Sequence, residues 1–472
     1  MAIFDYRGGD GREVIAEAYH LAAYSSVAPL ENSFAETFVD LILHDPSPEA
    51  SQLPEGWREL TPEDLGLSPD TISDGGFFGF GNTPYFTDDG TLVDGEAKVL
   101  AKTDANGNVT KVAISFAATN SIGSVLDFPA LSDLSYDDSF DYLFEAVKDY
   151  TVDNGLDGSD VLITGYSLGG GATNLAALDK ETRLDGFYSD SDYIGFASPA
   201  IAEGDNVFNF GFENDVVYRV GGNDFENPPS LAEVLLSTNQ DIESESSLDN
   251  LVLFNDSYAN PLFPFGPFGL LNLTGWLAHV DGAVAGPRLF DTIASSYFYE
   301  EMERDSTIVV SNLSDLTRGF TWVEPVNRST GNHNNEDAFI LGSKDADLLR
   351  GDNGDDHIDG FDGNDTINGR GGDDVIFGAG GNDKLTGGYG SDTFVFTEGF
   401  GDDTITDFNT SEDIIQIDSD IFSDFNDLMA NAEDTGGWFW WDDEVTITAG
   451  NNSITLDDIE LGDLSASNFM FV

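Results

Sequence analysis

Apolar positions recur along this chain with different periods in different places. In SFDYLFEAVKDY (139–150), Phe140, Leu143, Phe144, Val147 and Tyr150 fall on one helical stripe. DVLIT (160–164) is a short apolar run of the kind a buried strand shows, and ATNLAALDKE (172–181) reads as a helix. VAISFAATNS (112–121), YIGFASPA (193–200) and NVFNFGF (206–212) read as further strands, as do DTITDF (403–408), DIIQID (413–418) and VTITAGNNSITL (445–456). WFWW (438–441) reads as a strand packing on the repeat segment described next rather than as a binding site.

From Gly342 to Val395 the period becomes nine. The units are GSKDADLLR, GDNGDDHID, GFDGNDTIN, GRGGDDVIF, GAGGNDKLT and GGYGSDTFV. The sixth place is always Asp: Asp347, Asp356, Asp365, Asp374, Asp383 and Asp392. Two places later stands a large apolar residue: Leu349, Ile358, Ile367, Ile376, Leu385 and Phe394. This is the G-G-x-G-x-D-x-U-x repeat, which predicts a parallel β-roll. The glycine half turns where φ is unusual, and the other half is a short strand with its apolar residue inward. Two units make one turn of the roll, so alternate Asp residues stack on opposite edges. Stacked carboxylates repel, and Ca²⁺ held between turns removes the conflict. The expected ligands are these six Asp, with Gly351, Asn353, Gly360, Asp362, Gly369, Gly371, Gly378 and Gly380 supplying turn oxygens. In the first unit Ser343 and Asp345 stand where Gly is expected, so that unit reads as a cap.

Charge sharpens this reading. Against 18 basic residues stand 88 acidic ones, a net −70. Such a surface repels nucleic acid and anionic membranes and attracts cations. There is no Cys, so disulfide and thiolate chemistry are excluded. The first residues, MAIFDYRGGDGREV, lack the basic start and apolar core of a secretory signal peptide, and no 18-residue apolar run predicts a spanning helix.

The candidate chemistry lies in VLITGYSLGGG (161–171), which sets Ser167 between Gly165 and Gly169 as G-x-S-x-G. With 52 glycines in 472 residues, five letters need context. The context is strand, glycine turn, helix, which is the setting of a nucleophile elbow. A nucleophilic Ser needs a base and an orienting acid. Of five His, His20 and His44 precede Ser167, His333 sits in a linker-like stretch and His357 inside a repeat. His279, in LNLTGWLAHVDG, remains by elimination. Asp215 follows the strand NVFNFGF, where the acid belongs; Asp224 and Asp281 are the alternatives. The oxyanion donors are the backbone N–H of Leu168 and, from the loop after VAISF, Thr119.

Residues 1–340 resemble the catalytic domain of bacterial lipases that carry repeats-in-toxin nonapeptides, the true-lipase subfamily I.3. The matching pieces are MAIFDY, GYSLGG, NFGFENDVVYR, GWLAH, FYEEMERDSTIVVSNLSD (298–315), TWVEPVNR (321–328) and the terminal FMFV. The resemblance implies an α/β-hydrolase domain cleaving carboxylic esters, followed by a Ca²⁺-loaded all-β parallel β-roll. It also implies export by a one-step ABC-type (type I) system reading an uncleaved C-terminal signal, and hence an extracellular location. The family's triad falls on Ser167, Asp215 and His279. Two positions depart from it: Tyr166 replaces the usual His before the nucleophile, and Phe116-Ala117-Ala118-Thr119 replaces F-R-G-T. The lack of Cys fits a chain threaded out unfolded, and extracellular Ca²⁺ then supplies folding free energy.

The expected organisation is 1–335 hydrolase, 336–395 repeats and 396–472 a C-terminal β domain with the export signal, as a monomer. The Pro-rich stretch 44–70 reads as a candidate lid over a lipid or ester substrate, and PLFPFGPFGLLNL (261–273) as the border of the acyl site or core packing. The other readings are a phospholipase A1, a polyester or polyurethane esterase, and a non-catalytic calcium-binding adhesive protein.

Overall fold

The computed structural model describes residues 3–27, 52–73, 76–79, 85–86, 92–93, 95–117, 137–198, 201–212, 251–256, 290–304, 306–310, 337–351, 353–436 and 443–472. The chain divides into two compact units, Met1–Leu253 with Pro261–Asp291, and Phe254–Asn260 with Thr292–Val472. WFWW and the 261–273 stretch lie outside the described residues.

In the first unit, α1 (Arg12–Val27) precedes a twisted sheet. β1 (Trp57–Glu59) pairs antiparallel with β2 (Glu96–Thr103), and β2 with β3 (Val109–Phe116). β3, β4 (Val161–Tyr166), β5 (Asp192–Phe196) and β6 (Val207–Phe212) then lie side by side in parallel. Parallel neighbours need crossovers. α2 (Asp141–Asp153) connects β3 to β4, and α3 (Leu168–Leu178) connects β4 to β5.

The expected stripe is the buried face of α2, where Leu143, Phe144 and Val147 join Phe140 in the core. Gly155, in the left-handed region at φ 77°, follows its end. Ile114, Phe116, Val161 and Ile163 share one core with Phe144, Val147, Leu175 and Ala176. The alternating residues Ser115 and Thr164 point the other way and donate to the carbonyls of Leu21 and Ala18 on α1. Period-two alternation thus gives three layers: α1, the sheet, then α2 with α3. β4 is buried along its whole length, as a strand covered on both faces must be.

The lid expectation fails for the described part of 44–70. Trp57–Glu59 is a strand of the sheet, and Leu60 and Leu65 are buried in the same core. Pro54 and Pro62 flank this strand rather than interrupt it, so a high Pro content did not mean a loose loop.

The second unit is a parallel β-roll. One sheet runs β7 (Thr307–Val310), β8 (Ala338–Leu341), β10 (His357–Asp359), β12 (Val375–Phe377), β14 (Thr393–Phe396), β16 (Ile414–Ile417) and β19 (Phe469–Phe471). The other runs β9 (Leu348–Arg350), β11 (Thr366–Gly371), β13 (Lys384–Tyr389), β15 (Asp402–Ile405) and β18 (Asn452–Asp457), closed by antiparallel β17 (Glu444–Ala449). Successive repeats alternate between the sheets. The repeat Leu349, Ile358, Ile367, Ile376, Leu385 and Phe394 are all 0 % exposed and fill the space between them. Each contributes roughly 1.5–3 kcal/mol of burial.

The sheets run on past Val395. Ile405, Ile415, Ile454 and Phe469 belong to the same core as the repeat residues. At the fourth place of each repeat the turns touch: a Cβ on Gly381 would lie 1.4 Å from the Gly363 carbonyl oxygen, and Gly381 has φ 142°. Only Gly fits there. Asp345 occupies the corresponding place in the first repeat, where a Cβ on Gly363 of the following turn would lie 2.7 Å from its carbonyl oxygen.

Candidate functional site

Ser167 stands between the end of β4 and the first residue of α3, with φ 59° and ψ −122°. A non-glycine residue there is strained by about 1–3 kcal/mol, and surrounding structure must hold it. Its N–H donates to the Phe196 carbonyl at 2.9 Å, and its own carbonyl accepts from Gly171 N–H at 3.1 Å. The flanking glycines permit the turn. A Cβ on Gly165 would lie 2.4 Å from the Gly169 carbonyl carbon, and one on Gly169 would lie 2.3 Å from the Phe116 oxygen. Strand and helix therefore cross at backbone contact, and the serine sits at the apex.

Leu168 opens α3, so its N–H is one of the donors that a helix start leaves without an intrahelical acceptor. β3 reaches the same place: Phe116 pairs with Gly165, and Ala117 N–H donates to Glu96. Thr119, beyond that strand end, lies outside the described residues, as do Asp215, which follows β6, and His279. Two of the other His are engaged elsewhere. His20 Nδ1 lies 2.9 Å from the Ala16 carbonyl oxygen on α1, and His357 stacks on Phe339 in the roll.

Behind the elbow lies a buried polar pair absent from the sequence reading. Asn174 on α3 donates to Asn209 Oδ1 on β6 at 2.8 Å and to the Gly170 carbonyl at 2.9 Å, while its Oδ1 accepts from Ala202 N–H. It ties the elbow helix to the strand that leads to Asp215. No periodic signal marks it, because an Asn on a helix otherwise reads as surface.

In the roll the six repeat Asp residues form two ladders. The N–H of Asp347 donates to Asp365 Oδ1 at 2.7 Å, and that of Asp365 to Asp383 at 2.8 Å. On the other edge Asp356 donates to Asp374 at 2.8 Å and Asp374 to Asp392 at 3.0 Å. Each ladder gains a rung that the nine-residue spacing hid: Asp383 donates to Asp403, and Asp392 to Asp413. The legible signal was Asp-x-Ile, in Asp403 with Ile405 and Asp413 with Ile415.

These carboxylates are almost fully buried, and Oδ2 of Asp365 and of Asp383 takes no hydrogen bond. Burial, with neighbouring Asp adding to it, pushes Asp365 and Asp403 up to about 8. Burial likewise pushes Asp383 and Asp392 up to about 6. Buried anionic oxygens with spare lone pairs are what a hard divalent cation compensates. Among the described residues no three acidic or imidazole side chains converge, so backbone carbonyls must complete any coordination shell. The first-place glycines make room for this: a Cβ on Gly360 would lie 2.6 Å from Asp365 Oδ2 and 2.8 Å from the Gly378 carbonyl oxygen. The residues present therefore fit Ca²⁺.

Of the turn residues, Gly351 and Gly360 donate their N–H groups one turn onward, and Gly369 and Gly378 pack against the Asp of their own units. Asp362 pairs with Gly380, Gly371 with Tyr389, and Asn353 is exposed. In the first unit Ser343 gives both N–H and O–H to Asp347 Oδ2, at 2.7 and 2.9 Å.

Comparison with known proteins finds relatives for both parts of the chain. The RTX calcium-binding nonapeptide repeat family matches at residues 341–376, 359–394 and 368–405. Nonapeptides of this family bind calcium, and the roll is its calcium-binding part. A lipase of Pseudomonas fluorescens is 32% identical over 392 residues, covering 73% of this chain and 79% of the relative. A second lipase of that organism is 34% identical over 275 residues, covering 55% of this chain and 59% of the relative. The crystal structure of the extracellular lipase LipA from Serratia marcescens matches over all of both chains, with a TM-score of 0.62 and 23% identity, and shows the same fold. With a strained serine elbow on an α/β sheet and a calcium-repeat roll after it, the chain belongs to the RTX lipase family of carboxylic ester hydrolases.

Proposed function

We propose that the chain is a secreted, calcium-dependent serine lipase that cleaves triacylglycerols or related esters through an acyl-enzyme. The observation that supports this best is the strained backbone of Ser167 between two glycines that nothing larger can replace. Ser167 Oγ attacks the ester carbonyl, and His279 takes its proton and returns it to the leaving alcohol. Asp215 orients the imidazole and stabilises its charged form. The N–H of Leu168, with Thr119, receives the oxyanion. Water, activated by His279, then releases the acid and frees Ser167.

Bound Ca²⁺ would neutralise the stacked carboxylates and so supply folding free energy to the roll. Asp347, Asp356, Asp365, Asp374, Asp383 and Asp392 would hold it with the turn carbonyls. That chemistry suits a chain exported unfolded by an ABC-type system and folded outside as a monomer. The 1–335, 336–395 and 396–472 division then describes sequence character, since the repeats and the strands after Val395 share one core. The test is hydrolysis of p-nitrophenyl esters from short to long acyl chains, with Ca²⁺ or chelator, beside Ser167→Ala. Long-chain turnover that needs both Ca²⁺ and Ser167 supports the reading. Turnover of short chains alone points to an esterase of other specificity, and no Ser167-dependent turnover overturns the mechanism.

A further inference from the structure

The outer face of the roll's first sheet is covered by chain that precedes the roll. Within the second unit, Ser296 Oγ and Tyr297 N–H both donate to Asp359 Oδ2 at 2.9 Å, and Phe361 N–H donates to its Oδ1 at 3.1 Å. The Tyr297 ring lies 4.7 Å from that of Phe377, and its hydroxyl accepts from Gln416. Phe298 meets His357 edge-on, and Met302 is 0 % exposed. Asp359 itself is 1 % exposed. The ninth place of the other repeats holds Arg350, Asn368, Phe377, Thr386 or Val395, so Asp359 is the one acid at that place. A buried carboxylate is tolerated only when donors surround it, and two of its three donors come from the Ser296–Tyr297 stretch.

Asp359 ends β10, which lies between the turns 351–356 and 360–365, and both turns belong to the aspartate ladders. Its carboxylate can meet Ser296 only when β10 is stacked in register between β8 and β12. The Ser296 stretch follows His279 in the chain. We propose that Asp359 is a positioning residue: through its grip on Ser296 and Tyr297, calcium ordering of the roll seats the stretch from Ser296 to Met302 on the roll's first sheet, and turnover depends on that seating. The link to turnover rests on the reading of the chain as a serine lipase.

Hydrogen exchange of the full-length protein, with Ca²⁺ and with chelator, tests it. In the wild type Ca²⁺ is expected to slow exchange at Tyr297–Met302 by roughly 100-fold, together with the strands bearing Ile358 and Ile376. Asp359→Ala is expected to keep calcium stoichiometry and protection of those strands while losing protection at Tyr297–Met302. Its kcat should fall about tenfold with KM unchanged. Ser296→Ala, a smaller change should Asp359→Ala fail to fold, should act in the same direction, and Ser296→Thr should restore both readouts. Protection of Tyr297–Met302 without Ca²⁺, or in Asp359→Ala with an ordered roll, overturns the proposal, as does an unchanged kcat in a variant whose stretch has come loose. Wild-type protein without Ser167-dependent turnover sinks the catalytic reading and with it the link to turnover, while the exchange pattern still reports whether Asp359 holds the stretch.

Discussion

The backbone N–H of Asp365 donates to Oδ1 of Asp383 at 2.8 Å, while the other oxygen of Asp383 is buried and takes no hydrogen bond. One carboxylate thus does two jobs, fixing the preceding turn of the roll with one atom and leaving the other for a cation. Asp383→Asn keeps the first job and removes the second. The variant is expected to bind less Ca²⁺ per chain and to need more of it to fold. In chelator it is expected to be more stable than the wild type at pH 8, because a buried charge is gone. Calcium titration followed by circular dichroism, with thermal melts in chelator, checks both signs.

The calcium-free roll should be an acid-stable fold. Asp365 and Asp403 are pushed up to about 8, and Asp383 and Asp392 to about 6, against an ordinary value of 3.8. Between those values the folded chain holds protons that the unfolded chain has released. Stability in chelator therefore falls as pH rises from about 4 to about 8. Calcium reverses the trend, since binding requires the ionised carboxylates and releases their protons. Melting temperatures at pH 5 and pH 8 should show the lower value at pH 8 in chelator. With Ca²⁺ that order should disappear.

Ser167 is held in a conformation that glycine adopts more easily. Ser167→Gly is expected to abolish ester turnover and to raise the stability of the first unit by about 1 kcal/mol. A chemical denaturation midpoint above that of Ser167→Ala would show the strain being released. Equal midpoints would mean that the elbow stores none.

Gly169 has no such freedom, because its Cβ would lie 2.3 Å from the Phe116 oxygen. Gly169→Ala must push α3 away from β3 and should cost about 1–3 kcal/mol. It should also lower kcat more than KM, since Leu168 N–H moves with the helix. Denaturation and steady-state kinetics on the same preparation separate the two effects.

At the second place of three repeats, Phe361, Arg370 and Ala379 have φ of 63°, 76° and 61°. The repeat pattern puts Gly there, and a left-handed non-glycine residue costs about 1–2 kcal/mol. Ala379→Gly is expected to stabilise the calcium-loaded roll by roughly 0.5–1 kcal/mol, less than the full strain because Gly also loosens the unfolded chain. A calcium-saturated melt that does not rise would count against this.

Much of the molecule follows from sequence because its signals are local. The stripe Phe140, Leu143, Phe144 and Val147 needs only helical geometry to face a core, and G-x-S-x-G needs only a neighbouring strand and helix to become an elbow. In the roll each repeat fixes its own turn and its own inward residue.

Tertiary structure decided what depends on partners far apart in the chain. Asp403 and Asp413 joined the ladders because strand stacking kept its pitch while the loops between strands changed length. Trp57–Glu59 became a strand because β2 offered an open edge to pair with, which no local pattern in a Pro-rich stretch announces. Asn174 found Asn209, and Ser296 found Asp359, only once separate elements were packed together. A lone polar residue has no period to read, and its role is set by what burial brings within hydrogen-bond reach.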